Sequence, residues 1–228
     1  MAIQPLTARD RDALAEIAHI GAGHATVALT QMTGTVLRIS TTTADLLPLS
    51  EVAPRLGPPE APALAIYFKV FGQSRGALLV AFPQTATQWM LTTLAGAPQE
   101  GLGLSEMQRS AALEVGNIMA SAYLSAISNL LRLSLLPSVP DLAYDMNGSL
   151  CDLLIGERGG HGDEALTLYS SFSDQEQRLT GHYLLLPDPA SLNAILARIA
   201  ELPGGRTRER AESAPSSPER SADGKHRE

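Results

Sequence analysis

One succession of elements occurs twice along this 228-residue chain, and that repetition limits the fold more than any other feature. The first half opens at Thr7, which is placed to cap a long Ala-rich helical run, with Asp10 three residues on completing a capping box; the run closes at Gly34. Strand-like residues follow at Thr35–Ser40, then a short helix over Pro48–Leu56. Two apolar runs, Ala63–Phe71 and Gly76–Phe82, read as a hairpin, and Pro83 leads into a helix over Thr85–Leu94. The second half opens at Ser105 with a helical run to about Arg132, then a strand over Leu133–Leu136. A hairpin from Ala165–Phe172 and Arg178–Leu186 follows, and a helix over Ala190–Ile199. Ala15-Glu16-Ile17 in the first long helix matches Leu113-Glu114-Val115 in the second. Neither half has enough strands for a stable sheet of its own. The expected fold is therefore α/β in the broad sense (α+β): a pseudo-two-fold repeat with a largely antiparallel central sheet, built from both halves and flanked by two long helices. Residues 1–203 make a single domain of two repeats, about 7–97 and 104–202.

Composition narrows the function. Hydrophobic residues make up 44% of the chain, as in a folded protein. A net charge of −7 argues against general nucleic-acid binding and against adsorption to an anionic membrane. The single cysteine, Cys151, excludes an internal disulfide and any multi-cysteine metal site, and reads as a half-buried apolar residue. No stretch is long and apolar enough to span a bilayer, and the N-terminus lacks the basic-then-apolar order of a signal peptide, so the expected compartment is the cytoplasm. From Gly204 to Glu228 charges of both signs mix with serine and proline and no large apolar residue occurs, which predicts a disordered tail.

The second long helix carries the chemistry. At about 100° per residue, Ala112, Val115, Met119, Ala122, Ala126 and Leu130 share the face expected to pack on the sheet. Ser110, Glu114, Asn117, Ser121 and Ser128 form a polar stripe in which Glu114 and Asn117 are neighbours one turn apart. Between Ser110 and Asn129 the only charge is Glu114. Gly116 and Asn117 each cost about 0.5–1 kcal/mol of helix propensity relative to Ala. A small, nearly uncharged face of this kind suits close approach, either by a partner molecule or by the other long helix or a dimer mate. The first helix has a related stripe in Asp12, Glu16, His19, Gly23 and Thr26, thinned by Gly21 and Gly23.

A Glu–Asn pair holds no nucleophile for covalent catalysis. An Asn side chain donates and accepts at once, so it can hold a water against an electrophile, and Glu can engage a cationic group. The pair can complete a site whose metal and electrophile belong to another molecule, as a side-chain amide does when it positions water for phosphoryl transfer.

Ser110-x-x-x-Glu114-x-x-Asn117, with Pro140 lying 23 positions after Asn117, resembles the signature of the CheC-type response-regulator phosphatases, the CheC, CheX and FliY group. The stretch Ala15-Glu16-Ile17-Ala18-His19-Ile20-Gly21-Ala22-Gly23-His24-Ala25 is similar to that family's first motif, and the resemblance extends over about residues 8–200. It implies hydrolysis of the aspartyl phosphate of a CheY-like response regulator. Glu114 would pair with the regulator's active-site lysine and Asn117 would orient the attacking water; Ser110 and Pro140 would support the motif. The chain would have no metal or cofactor of its own, and Mg²⁺ would come with the bound regulator. A CheD-like protein is a further implied partner. In the first half Asp12 and Glu16 fit the pattern, but His19 stands where Asn is expected and Thr42 stands where the proline is expected. Glu16 and His19 thus read as a second, degenerate site, weakened or used for docking. The alternative function is a non-catalytic module that binds a response regulator or a flagellar-switch component.

His19 and His24 sit about 140° apart around the helix and should not share a metal. Gly21-x-Gly23-x-x-Thr26 lies inside a helical pattern with no strand before it, so it is not a phosphate loop. Trp89 and Met90 are expected to fill the core under a short helix.

Overall fold

A computed structural model describes residues 6–96, 103–150, 152 and 164–202; Cys151 and the segment 204–228 lie outside the described residues. Helix α1 (Ala8–Thr33) starts as its sequence dictates. The Thr7 hydroxyl oxygen accepts the Asp10 N–H at 3.2 Å and the Asp10 carboxylate accepts the Thr7 N–H at 3.0 Å. Gly34 stops it in the left-handed region, φ 71°, with its N–H donating to the Thr30 carbonyl. Helix α4 (Glu106–Leu131) uses the same device with Ser105 and Gln108. Between and after them come β1 (Leu37–Pro48), α2 (Leu49–Val52) with a 3₁₀ turn at Ala53–Arg55, β2 (Pro62–Gly72), β3 (Gly76–Pro83) and α3 (Gln84–Ala95). The second half continues with β4 (Leu135–Pro137), β5 (Asp141–Met146), β6 (Glu164–Asp174), β7 (Thr180–Pro187) and α5 (Pro189–Glu201).

The strands form one antiparallel sheet in the order β1-β6-β7-β3-β2-β4, with β5 also on β2. The order is symmetric about the β7–β3 seam. Each half contributes a hairpin to the centre and lends its first strand to the hairpin of the other half: β1 lies on β6, while β4 and β5 lie on β2. This exchange is the physical reason one half cannot close a sheet alone.

Two details differ from the sequence prediction. β1 runs to Pro48 rather than stopping at Ser40, because Thr41, Thr42 and Thr43 pair with Ser171, Ser170 and Tyr169. These β-branched residues fit the pleat as well as apolar ones do. A register shift between Ile39 and Thr41 absorbs the extra residue. Nothing in the sequence pattern signals β5, an edge strand with no buried residue. Pro140, lacking an N–H, sits half-buried in the gap between β4 and β5. Ser138 bridges that gap, its N–H donating to the Lys69 carbonyl at 2.8 Å and its Oγ accepting the Lys69 N–H at 3.0 Å.

Alternation along the strands creates two cores. Leu64, Ile66, Phe68, Leu78, Val80, Phe82, Leu168, Phe172, Tyr183 and Leu185 face one way and meet the buried sides of α1, α3, α4 and α5. Met90 is fully buried there and Trp89 packs at its margin. Both long helices thus lie on the same face, α1 over β1 and β6, α4 over β2, β3 and β4. Ile17 shares a small apolar cavity with Leu124, Ile127 and Leu131, and four residues further on Gly21 meets Ile127 and Tyr123. The neighbours on α4 step backwards as α1 advances, so the helices are antiparallel and their N-terminal halves lie at opposite ends of the pair. Because α4 touches both the sheet and α1, its buried side is wider than the predicted one. Ala112, Val115, Met119 and Ala126 are buried, Ala122 and Leu130 only half so, and Gly116, Ala120, Tyr123, Leu124, Ile127 and Leu131 are buried as well.

The opposite face is Ala-rich and holds a smaller core of Ala63, Ala65, Leu79, Ala81 and Leu184 beneath Val52 and Leu56. At its margin Arg55 donates to Thr43 Oγ1 at 2.7 Å and to the Asp45 carboxylate at 2.9 Å. The Tyr169 hydroxyl donates to the Arg55 carbonyl at 3.3 Å and lies 2.9 Å from Nδ1 of His182, whose ring stacks on that of Tyr169. Burial pushes the His182 imidazole down from its ordinary 6.5 to about 4. Between those values the unfolded chain binds a proton at this residue that the folded chain refuses, so stability is expected to fall as pH drops from about 6.5 to about 4. Urea midpoints measured across that range should decline less steeply in a His182→Gln variant; an unchanged slope would assign the acid sensitivity to other groups.

Candidate functional site

The capping box at Ser105 fixes where α4 begins, and the helical period then sets which side chains look outward. Ser110, Glu114 and Ser121 are exposed, Asn117 is half-buried, and Val115 and Gly116 between the key pair are buried. Neither the Glu114 carboxylate nor the Asn117 carboxamide forms a hydrogen bond or ion pair with any of the described residues. Both are therefore free to bond a molecule that approaches from solvent. Glu114 and Ser110 also edge an open groove between the end of α3 and the start of α4, where Leu94 and the exposed Met107 supply apolar surface.

Gly116 has a different role from the one its exposed neighbours suggest. A Cβ at this position would lie 2.5 Å from Cγ2 of Ile66, so the glycine lets α4 settle onto β2. Of the two residues that weaken the helix, one is spent on internal packing and the other faces outward.

In the first half Asp12, Glu16 and His19 are all exposed along α1. His24 is exposed too, one turn beyond. Thr26, expected in the same stripe, is instead buried, with its hydroxyl 3.3 Å from that of Tyr183. Gly21 is likewise turned inward, where a Cβ would lie 3.1 Å from Ile127 and 3.2 Å from Tyr123. His19 is not free as Asn117 is: its Nδ1 lies 3.4 Å from Oγ1 of Thr42, the residue 23 positions later. Thr42 Oγ1 in turn accepts a hydrogen bond from the Ser170 hydroxyl at 3.3 Å. Ser170 carries no signal in the sequence, because it reaches this cluster only through the β1–β6 pairing. Among the described residues no group of three or more His, Cys, Asp and Glu side chains could hold a metal. None of the described helices is long and apolar enough to cross a membrane.

The two ends of the helix pair are thus chemically unequal. One presents a carboxylate and an unengaged carboxamide; the other presents a carboxylate and an imidazole already held by a hydroxyl.

Residues 107–144, which span α4 to β5, match the family model described as the CheC-like family. The CheY-P phosphatase CheC of Bacillus subtilis (strain 168) is 31% identical over 193 residues, covering 82% of this chain and 92% of that protein. In fold, the chain resembles Thermotoga maritima FliY, with a TM-score of 0.69 at 14% identity over 87% of this chain and 99% of the other. It also resembles a chain of the FliG–FliM complex from H. pylori, with a TM-score of 0.60 at 10% identity over 84% and 100%. With near one-third identity sustained across almost the whole of the Bacillus relative, and with the second helix matched on its own, the chain belongs to the CheC-like family.

Proposed function

We propose that this protein is a phosphatase that hydrolyses the aspartyl phosphate of a CheY-like response regulator in chemotaxis signalling. The observation that carries the reading is the pair on α4: a carboxylate and a carboxamide one turn apart, outward-facing and unbonded to the described residues. The name of the Bacillus relative, a CheY-P phosphatase, supports the same substrate.

In this reading α4 docks along the receiver's phosphorylation site. Glu114 pairs with the receiver's lysine and holds the two proteins in register. The Asn117 carboxamide enters the site, its oxygen accepting from the attacking water and its N–H₂ donating to a phosphoryl oxygen, so that water stands in line with the bond to be broken. Mg²⁺, held by the receiver, neutralises charge on the phosphoryl oxygens. Ser110, one turn before Glu114, widens the flat contact, and Pro140 shapes the strand edge.

Adding the purified protein to a phosphorylated receiver with Mg²⁺ and following phosphate release tests the reaction itself; release no faster than the receiver's own decay would end the proposal. Removing the Glu114 carboxylate deletes a charge-assisted contact worth about 1.5–3 kcal/mol. Glu114→Ala is therefore expected to lower kcat/KM by about 10- to 100-fold, most of it in KM. A loss confined to kcat would mean that Glu114 acts on the chemical step and not on docking.

A further inference from the structure

We propose that the groove between the end of α3 and the start of α4 is the part of the docking surface that selects the receiver: Met107 and Leu94 seat an apolar side chain of the receiver, and Glu106 takes a basic one beside it. The proposal rests on the receiver reading above and deepens it.

Glu114 and Asn117 are placed to meet a lysine and a phosphoryl group with its Mg²⁺, which any receiver carries for its own chemistry. That pair has little by which to tell one receiver from another, so discrimination needs contacts outside the reaction centre. The groove continues the same surface. Met107, Ser110, Glu114 and Asn117 follow one another at spacings of three, four and three residues and so run along one face of α4. Met107, Ser110 and Glu114 line the groove with Leu94 of α3, and Glu114 thus belongs both to the groove and to the reacting pair.

Met107 is 68% exposed, and its thioether takes no part in the Ser105–Gln108 capping box that begins α4. Two residues after the matching cap of the first half, Thr7, stands Arg9. The fold therefore does not call for an apolar residue at this point, and the adaptable methionine surface is left for another molecule. The two charged residues of the groove, Glu106 and Glu114, are both acidic and both exposed, which favours a basic neighbour for the apolar group. The groove is open rather than enclosed, as suits a protein surface and not a small molecule. Seven residues separate Met107 from Glu114, about 10 Å along the helix. A receiver held at Glu114 through its lysine fills the groove only if it carries an apolar side chain about 10 Å from that lysine, with a basic residue alongside. A receiver without that arrangement leaves Met107 in water and Glu106 without a counter-charge.

The test uses the full chain with ¹³C-labelled methionine methyl groups and, as probe, a CheY-like receiver activated with beryllofluoride and Mg²⁺. Adding the receiver should shift the Met107 methyl resonance. Met107→Ser should raise the Kd for that receiver, and the KM for phosphate release from its phosphorylated form, by about 5- to 20-fold, with kcat changed by less than about twofold. Met107→Leu, which restores apolar surface, should recover most of the affinity. Glu106→Gln should flatten the dependence of Kd on salt. A methyl resonance that stays in place on binding, a Kd unmoved by Met107→Ser, or a loss in kcat and not in KM would each overturn the proposal. So would a Met107→Ser variant that turns a dimer into a monomer in sedimentation while binding the receiver as before, since a second copy of the chain would then hold the groove. If the receiver shifts the Met107 methyl but the wild-type chain releases no phosphate, the phosphatase reading fails and the docking groove stands.

Discussion

An Asn117→Ala variant is expected to lose about 10²-fold or more of its phosphatase kcat while melting no lower than the parent. The two halves of that expectation come from the same observation. Asn117 makes no hydrogen bond to the described residues, so removing its amide leaves no donor or acceptor behind without a partner. Alanine is also the better helix former, by about 0.5 kcal/mol. What disappears is the group that accepts from water and donates to phosphorus-bound oxygen, an interaction made fully only as the water attacks. Phosphate release under saturating receiver, alongside thermal unfolding of both proteins, checks the pair of outcomes. His19→Ala is expected to change kcat far less, because its imidazole is already engaged by Thr42. Equal losses from the two substitutions would show that both ends of the helix pair turn over substrate.

The second large effect concerns the seat of that helix. Gly116→Ala is expected to destabilise the protein by about 1–3 kcal/mol, although alanine would favour the helix by about 1 kcal/mol. The new methyl would stand 2.5 Å from Cγ2 and 2.9 Å from Cδ1 of Ile66, a side chain that is itself fully buried on β2. Ile66→Ala alone is expected to cost about 2–5 kcal/mol by leaving a cavity under α4. In that background the sign should reverse: Gly116→Ala then fills part of the cavity and stabilises by about 1 kcal/mol. Urea unfolding of the four proteins measures the coupling. If Gly116→Ala is destabilising to the same extent in both backgrounds, contact with Ile66 is not what requires glycine here.

Most of the secondary structure was legible because its signals are local. Thr7 with Asp10 and Ser105 with Gln108 mark helix starts through bonds that span three residues. The hairpins show as alternating or continuous apolar runs on either side of a polar turn. β5 was not legible, since an edge strand without a buried face carries little periodicity. The continuation of β1 through three threonines was not legible either, because their partners lie more than a hundred residues away.

The candidate site divides along the same line. The sequence alone determined that Glu114 and Asn117 share a helical face, that Glu16 and His19 do so in the other half, and that Thr42 follows His19 at the same 23-residue distance at which Pro140 follows Asn117. These are consequences of a fixed 3.6-residue period and of counting along the chain. Only the tertiary structure decided that Gly116 faces the sheet, that Thr26 is buried against Tyr183, and that Ser170 supports Thr42 beneath His19. Each of those depends on which strand of one half lies on which strand of the other. Such pairings are set by packing over the whole sheet, a sum of many non-local contacts that no short stretch of sequence records.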